Sequence, residues 1–216
     1  MDGLYGIEIP GEKFTFRSIH CRMSIVGGGW TVIQRRVYGT TEFDKYWDEY
    51  KEGFGDLSTD FWYGNEKIHQ LAEPGTNNEV LFELEDINND FYYPYYDEFN
   101  VGSEIDKYKL NVGQYKHVYG SPLPPHPLSR TNGKDFERDH GMSFSTRDSD
   151  NDISDQRHCS AEFYSGWWFH QCTWSNINGK FRQNANTGMK WEQITNAFSD
   201  TKSLQTTVMM IRKRKD

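Results

Sequence analysis

The chain has 216 residues and a formal net charge of −8, from 32 acidic and 24 basic side chains. That length suits one large domain with a sizeable core, or at most two small ones. A mean hydropathy of −0.87 with no long apolar run excludes a membrane-spanning helix and reads as a soluble protein, and the acidic balance, which repels phosphate backbones, argues against nucleic acid as a partner.

Aromatic residues make up 16% of the chain while Leu, Ile and Val are scarce, so the core must be assembled from rings whose polar edges need partners. In chain order, Phe14–Ile19 alternates loosely and predicts a strand. Gly27–Gly29 leads into Trp30–Arg36, a second strand with β-branched interior residues; glycines that lead into a strand do not form a phosphate cradle. Thr41 is placed to cap a helix carrying Phe43, Trp47 and Tyr50 and stopped by Gly53, and Asn65 to cap another with Ile68 and Leu71 on one face. Glu79–Asp86 alternates, predicting Val80, Phe82 and Leu84 inward and the glutamates outward. Residues 91–101 and Tyr108–Val112 read as further strands, and Thr206–Arg212 as a final strand returning to the sheet. Between 113 and 200 periodicity gives way to Gly, Asn, Asp, Ser and Pro, with Pro122–Pro127 a surface loop. The basic run Arg212–Lys215 reads as a solvated tail rather than a heparin or anionic-lipid patch.

Cysteine usage is odd-numbered. Cys159 and Cys172 are close enough in sequence to bridge, which would contribute on the order of 3 kcal/mol through loop closure. Cys21 is then either a buried free thiol or the partner of a cysteine upstream. No signal peptide begins at Met1, since Asp2 and Glu8 interrupt any apolar stretch, so the expectation is a domain cut from a longer secreted protein. No N-x-[ST] acceptor occurs.

The richest window runs from 144 to 181. Asp148, Asp150 and Asp152 stand at alternate positions and can converge on a Ca²⁺, which takes six to eight oxygens. An EF-hand is excluded, because its sixth and twelfth positions would be Ile153 and Cys159. The plain alternative is a solvated acidic turn. Trp167 and Trp168 follow Gly166; alternation predicts one facing in and the other out, with core packing the more ordinary role for both. Ser175–Gly179 is a turn signal whose amides can order a neighbouring loop. His117, His126, His140, His158 and His170 show no zinc spacing and read as structural or surface residues. No nucleophile elbow, phosphate loop or C-x-x-C appears, so no catalytic residue is assigned and the chain reads as a non-enzyme.

Gly27–Arg36, Phe61–Asn65 with Ile68 and His69, His140–Thr146, Asp148–Asp152, Gly166–Trp168 and Ser175–Gly179 together resemble the fibrinogen C-terminal-like domain, in order and across nearly the whole chain. Ficolins, tachylectins and ixoderin-like lectins belong to that family. The resemblance implies an α+β fold spanning 1–216 as a single domain: an N-terminal disulfide hairpin, a central antiparallel sheet with short helices, and a loop-rich C-terminal part carrying calcium and ligand. By motif match, Asp150 and Asp152 would bind calcium through side chains, and Ser154 and Gln156 through backbone carbonyls. The stretch from Asp152 to Cys159 is one residue longer than in familiar members. Cys21 matches a cysteine whose partner lies upstream. In lectin members the pocket lies beside the second bridge cysteine, here Cys172, often after a cis peptide, so its amide would face an acetyl-binding pocket. The position commonly held by His is Thr173, and the pocket-tyrosine positions are Phe163, Ala185 and Phe198, followed by Asn186 and Gly188. Loss of tyrosine hydroxyls removes hydrogen-bond donors from that cup.

The implied function is a secreted, calcium-stabilised innate-immune lectin that binds acetylated or other surface glycans, with strength from a homo-oligomer in the full-length protein. The alternative is a protein-binding module, an angiopoietin-like receptor ligand or a matrix or clotting component, using the same loops.

Overall fold

A computed structural model describes residues 1–8, 16–25, 27–116, 134–195 and 202–214. The chain opens with β1 (Gly3–Glu8), β2 (Phe16–Arg22) and β3 (Trp30–Arg36), followed by α1 (Trp47–Glu52), β4 (Phe54–Gly55), β5 (Phe61–Trp62) and α2 (Asn65–Leu71). Next come β6 (Asn78–Glu85), β7 (Phe91–Tyr92), β8 (Tyr95–Tyr96), β9 (Phe99–Val101), β10 (Leu110–Val112) and β11 (Tyr115–Lys116). The last part holds α3 (Lys134–Glu137), α4 (Cys159–Phe163), β12 (Ser175–Asn176), β13 (Lys190–Trp191), α5 (Glu192–Thr195) and β14 (Thr206–Lys213). The main sheet runs β1-β2-β3-β14-β6-β8-β11, and every pairing between these strands is antiparallel. This is the predicted α+β architecture. The last strand does return, threading between β3 and β6 in continuous register with β6 from Thr206↔Glu85 to Lys213↔Asn78. At the β2–β3 corner Gly28 takes φ 67°, where a Cβ would lie 2.8 Å from the Met23 carbonyl oxygen, so the turn there requires glycine.

Several local expectations need correction. The first helix begins at Trp47, not after Thr41, whose hydroxyl instead donates to the Asp60 carbonyl. Its start is set by the Glu49 carboxylate, which accepts the Tyr46 N–H at 3.0 Å, and by Asp148 Oδ1, which accepts the Trp47 N–H at 2.9 Å. Asn65 is the first residue of α2 rather than its cap, and its Oδ1 accepts the Trp62 indole N–H at 2.9 Å. On β6 the glutamates do not simply face water: Glu79 is 3% exposed, accepts the Tyr95 hydroxyl and pairs with Arg212, while Glu83 pairs with Arg22 at 2.9 Å. A central strand is covered on both faces, so alternation in sequence becomes alternation between two buried environments. Arg212 likewise sits in β14 over the Trp30 ring, not in a solvated tail. Residues 9–15, Pro122–Pro127, His117, His126, Phe198 and Lys215 lie outside the described residues.

The core is built of rings, as composition demands. Phe136 of α3 packs against Phe82 of β6 (centroids 4.9 Å apart) and also reaches Trp167 and Trp168. Trp168 continues to Phe144 at 5.1 Å and on to Trp62. One aromatic chain therefore runs from the sheet into the irregular C-terminal layer. Trp167 and Trp168 are both fully buried, correcting the in-and-out expectation: the segment is no strand, and the two indoles touch each other and Phe136 within one core. Their N–H groups are satisfied by Asp139 Oδ2 (3.1 Å) and the Tyr108 carbonyl (2.7 Å).

Candidate functional site

The irregular layer from 144 to 191 is fastened to β3 by polar side chains. Gln34 and Arg36 alternate with Ile33 and Arg35 and so share one face of the strand. Gln34 Nε2 reaches the Ile177 carbonyl (3.1 Å) and Asn178 Oδ1 (3.1 Å), and Arg36 donates to the Gly179 carbonyl at 2.8 Å. The Arg36 guanidinium is buried, lies 3.9 Å from the Phe43 ring centroid, and burial pushes its pKa down to about 10. Asn178 Nδ2 donates onward to the Gly166 carbonyl at 2.9 Å. The Ser175–Gly179 amides thus do order neighbouring loops, but from a fully buried position rather than a surface turn.

On this platform sits the acidic loop. Asp148 does not join the other two aspartates. It accepts from Thr146 Oγ1 (2.7 Å) and from the first N–H of α1, so its role is to hold the loop against that helix. Asp152 accepts the Ser154 N–H through Oδ1 (2.8 Å) and the Cys159 N–H through Oδ2 (2.9 Å). Burial and the adjacent Asp150 carboxylate push the Asp152 carboxyl above its usual range, against those two N–H bonds. Asp150 itself is exposed. Among the described residues neither the Ser154 nor the Gln156 carbonyl accepts a hydrogen bond, and no trio of His, Cys, Asp or Glu converges. Two neighbouring carboxylates that repel each other, and two carbonyls close by in sequence that accept no hydrogen bond, are oxygen donors of the kind a hard cation prefers and zinc does not.

The staple follows at once. Cys159 and Cys172 are disulfide-bonded with Cα atoms 5.0 Å apart. The Ile153 N–H donates to the His170 carbonyl at 3.4 Å, so the acidic loop, the start of α4 and the far end of the bridged loop are one tied unit. Cys172 is buried at φ 73°, a left-handed conformation uncommon for cysteine. Thr173 is half-buried, and its hydroxyl donates to the Ser175 carbonyl, which commits the donor that a ligand would need. Phe163 packs 6.0 Å from Phe169. The next residue, Tyr164, carries the Lys180 ammonium 3.7 Å from its ring centroid. Lys180 opens a closed loop: its N–H donates to the Thr187 carbonyl (2.8 Å), and Gly188 N–H to the Ala185 carbonyl (2.9 Å). Ala185 is half-buried and Asn186 exposed on that loop. The Lys180–Tyr164 contact therefore brings the Phe163 segment beside the Ala185–Asn186 loop. Phe198 lies outside the described residues. Of the histidines, His140 bonds the Val112 backbone and His158 the Thr146 carbonyl, structural roles as expected.

Two features escaped sequence reasoning. Cation–π pairs recur in this layer, with Arg138 over Trp174 (3.4 Å) and Arg157 near Phe163 (5.9 Å) as well as Lys180 over Tyr164. Asp139 is wholly buried and accepts from Trp167 and Ser175 of the same layer. The first had a weak signal in the interleaving of Lys and Arg with aromatics; the second had none. A separate hollow of about 250 Å³, lined by Phe54, Leu57, Phe61, Trp62 and Tyr63, contains none of the predicted ligand residues. Cys21 is a buried thiol without a disulfide partner among the described residues, and burial pushes its pKa up.

An antiparallel α+β domain whose disulfide-stapled C-terminal loops are wired to the sheet is the frame of a recognition domain. The chain belongs to the fibrinogen family: the model of fibrinogen beta and gamma chains, C-terminal globular domain, matches residues 1–214. Human fibroleukin is 39% identical over 84% of this chain and 39% of its own length, and ryncolin-4 of Cerberus rynchops 37% identical over 88% and 52%. The chain thus spans about half or less of these relatives. Among solved structures, the fibrinogen-like globe domain of human ANGPTL6 superposes with a TM-score of 0.84 at 31% identity, covering all of this chain and 90% of that one. Lamprey fibrin D-dimer, complexed with the peptide Gly-His-Arg-Pro-amide, gives 0.80 at 30%, covering all of this chain and 70% of that one.

Proposed function

We propose that this domain is the calcium-stabilised recognition module of a secreted protein and binds surface glycans through the loop face formed by Phe163–Tyr164, Thr173 and residues 180–188. The observation that carries this reading is the tied unit of Asp152, Cys159 and Cys172, which holds the neighbouring loops in place. Calcium would be held by Asp150 and Asp152 with the carbonyls of Ser154 and Gln156. It would neutralise a carboxylate pair that otherwise repels itself. Weak single-site affinity would be raised by several copies on one oligomer.

A second reading, a domain that docks on a protein receptor, is supported by one observation: the positions that the resemblance assigns to pocket tyrosines hold Phe163 and Ala185, and the Thr173 hydroxyl is engaged by the Ser175 carbonyl. A glycan array run in calcium and in EDTA separates the two. Binding that EDTA abolishes supports the lectin; an array blank in both buffers rejects it in favour of a protein partner.

A further inference from the structure

We propose that this loop face selects anionic carbohydrate, bearing sulfate or carboxylate groups, over neutral acetylated sugar. The proposal rests on the glycan-binding reading above and adds the charge of the ligand. No acidic residue stands between Glu162 and Glu192, in a chain with 32 of them, whereas the half-buried Lys180 and the exposed Arg182 lie in that stretch; Lys190 is buried with its ammonium on the Lys202 carbonyl. The segment that carries Thr173, Ala185 and Asn186 is thus a cationic island on an acidic protein.

The structure shows how two of those charges are held ready. Lys180 rests on the Tyr164 ring at 3.7 Å and Arg182 on the Phe181 ring at 4.8 Å. A ring face positions a cation without neutralising it or consuming its N–H donors. Neither residue forms an ion pair among the described residues, and Arg182 spends only Nε, on the Gln205 carbonyl at 3.0 Å, leaving the outer edge of its guanidinium for a two-pronged contact with an oxyanion. Both stand on the 180–188 loop with Ala185 and Asn186, whose exposed amide adds an uncharged donor. The nearby acids are already engaged: Glu162 pairs with Arg157, Glu85 accepts from Thr206 Oγ1 at 2.9 Å, and Asp139 is buried. A ligand such as the peptide in the lamprey structure, with a free amine and a guanidinium, would meet no carboxylate in this stretch.

The test titrates the chain, in calcium, with a heparin-derived hexasaccharide and with its desulfated, N-acetylated counterpart. The sulfated sugar should bind at least about tenfold more tightly, as expected for two charge-assisted contacts, and weaken as salt is raised. Lys180→Gln with Arg182→Gln should remove that advantage at an unchanged melting temperature; Lys180→Arg should keep it, and Lys109→Gln, an exposed lysine on another loop, should leave it untouched. Equal affinity for the two sugars, or full sulfated-sugar binding by the folded double variant, overturns the proposal. Binding of the neutral sugar alone overturns it while leaving the glycan-binding reading in place, and loss of all glycan binding on the array rejects both.

Discussion

Asp139 carries a residue-scale consequence. Its Oδ2 accepts from the Trp167 indole (3.1 Å) and Ser175 Oγ (2.7 Å), and its Oδ1 meets no donor among the described residues. Burial, aided by the nearby Asp135, drives its carboxyl well above the ordinary range, against the two hydrogen bonds and Arg138. A carboxyl whose folded pKa is raised holds its proton longer in the native state. Its contribution to stability is therefore full below the unfolded value near 4 and is lost as pH rises through the folded one. Asp139→Asn removes the titration while keeping an acceptor. Relative to the parent, the variant should gain stability with rising pH, at up to about 1.4 kcal/mol per pH unit within that window. Urea unfolding of both proteins at pH 4.5, 5.5 and 6.5 measures it, and a difference independent of pH contradicts the assignment. Nothing in the sequence marks Asp139, because its environment is made by residues 28 and 36 positions away.

At the scale of elements, β3 acts as a spine with two uses. Val32 and Ile33 pack the sheet, and Gln34 and Arg36 reach across to the buried 177–179 backbone. Cutting Gln34 to Ala would leave the Ile177 carbonyl and Asn178 Oδ1 short of a donor inside the protein. At about 1–3 kcal/mol for each unsatisfied buried group, the loss should be roughly 2–4 kcal/mol, and a melt should fall by about 5–15 °C. A Gln34→Ala domain that melts within a degree or two of the parent would show that the loop layer does not depend on this strand. The same elements show what sequence patterning conveys. Trp30–Arg36 and Thr206–Arg212 were readable because β-branched and apolar runs report local geometry. The start of α1 was not, because one of its stabilising acceptors, Asp148, comes from 101 residues away. Side chains that cap or bridge over such distances leave no periodic trace.

For the whole molecule, the decisive question is whether the acidic loop is finished by a cation. Asp150, Asp152 and the staple were legible as a cluster because they are adjacent in sequence, whereas the departure of Asp148 from that cluster depends on where α1 sits. A net charge of −8 makes each carboxylate slightly harder to accommodate, and the Asp150–Asp152 pair concentrates that repulsion in the loop tied to the disulfide. A ligand that binds only the folded state at a hundred times its dissociation constant stabilises by about 2.7 kcal/mol. For a chain of this length that corresponds to a melting shift of about 5–10 °C. Calcium at millimolar concentration should therefore raise the melting temperature of the parent by that amount, and EDTA should reverse it. Asp150→Ala should melt near the EDTA value in either buffer, since this exposed side chain gives up only a long hydrogen bond from the Asp152 N–H, at 3.4 Å. If the parent melts identically in calcium and in EDTA, the loop is held by the disulfide and hydrogen bonds alone, and the carboxylates are a solvated turn. If Asp150→Ala keeps the full calcium shift, the cation is held elsewhere.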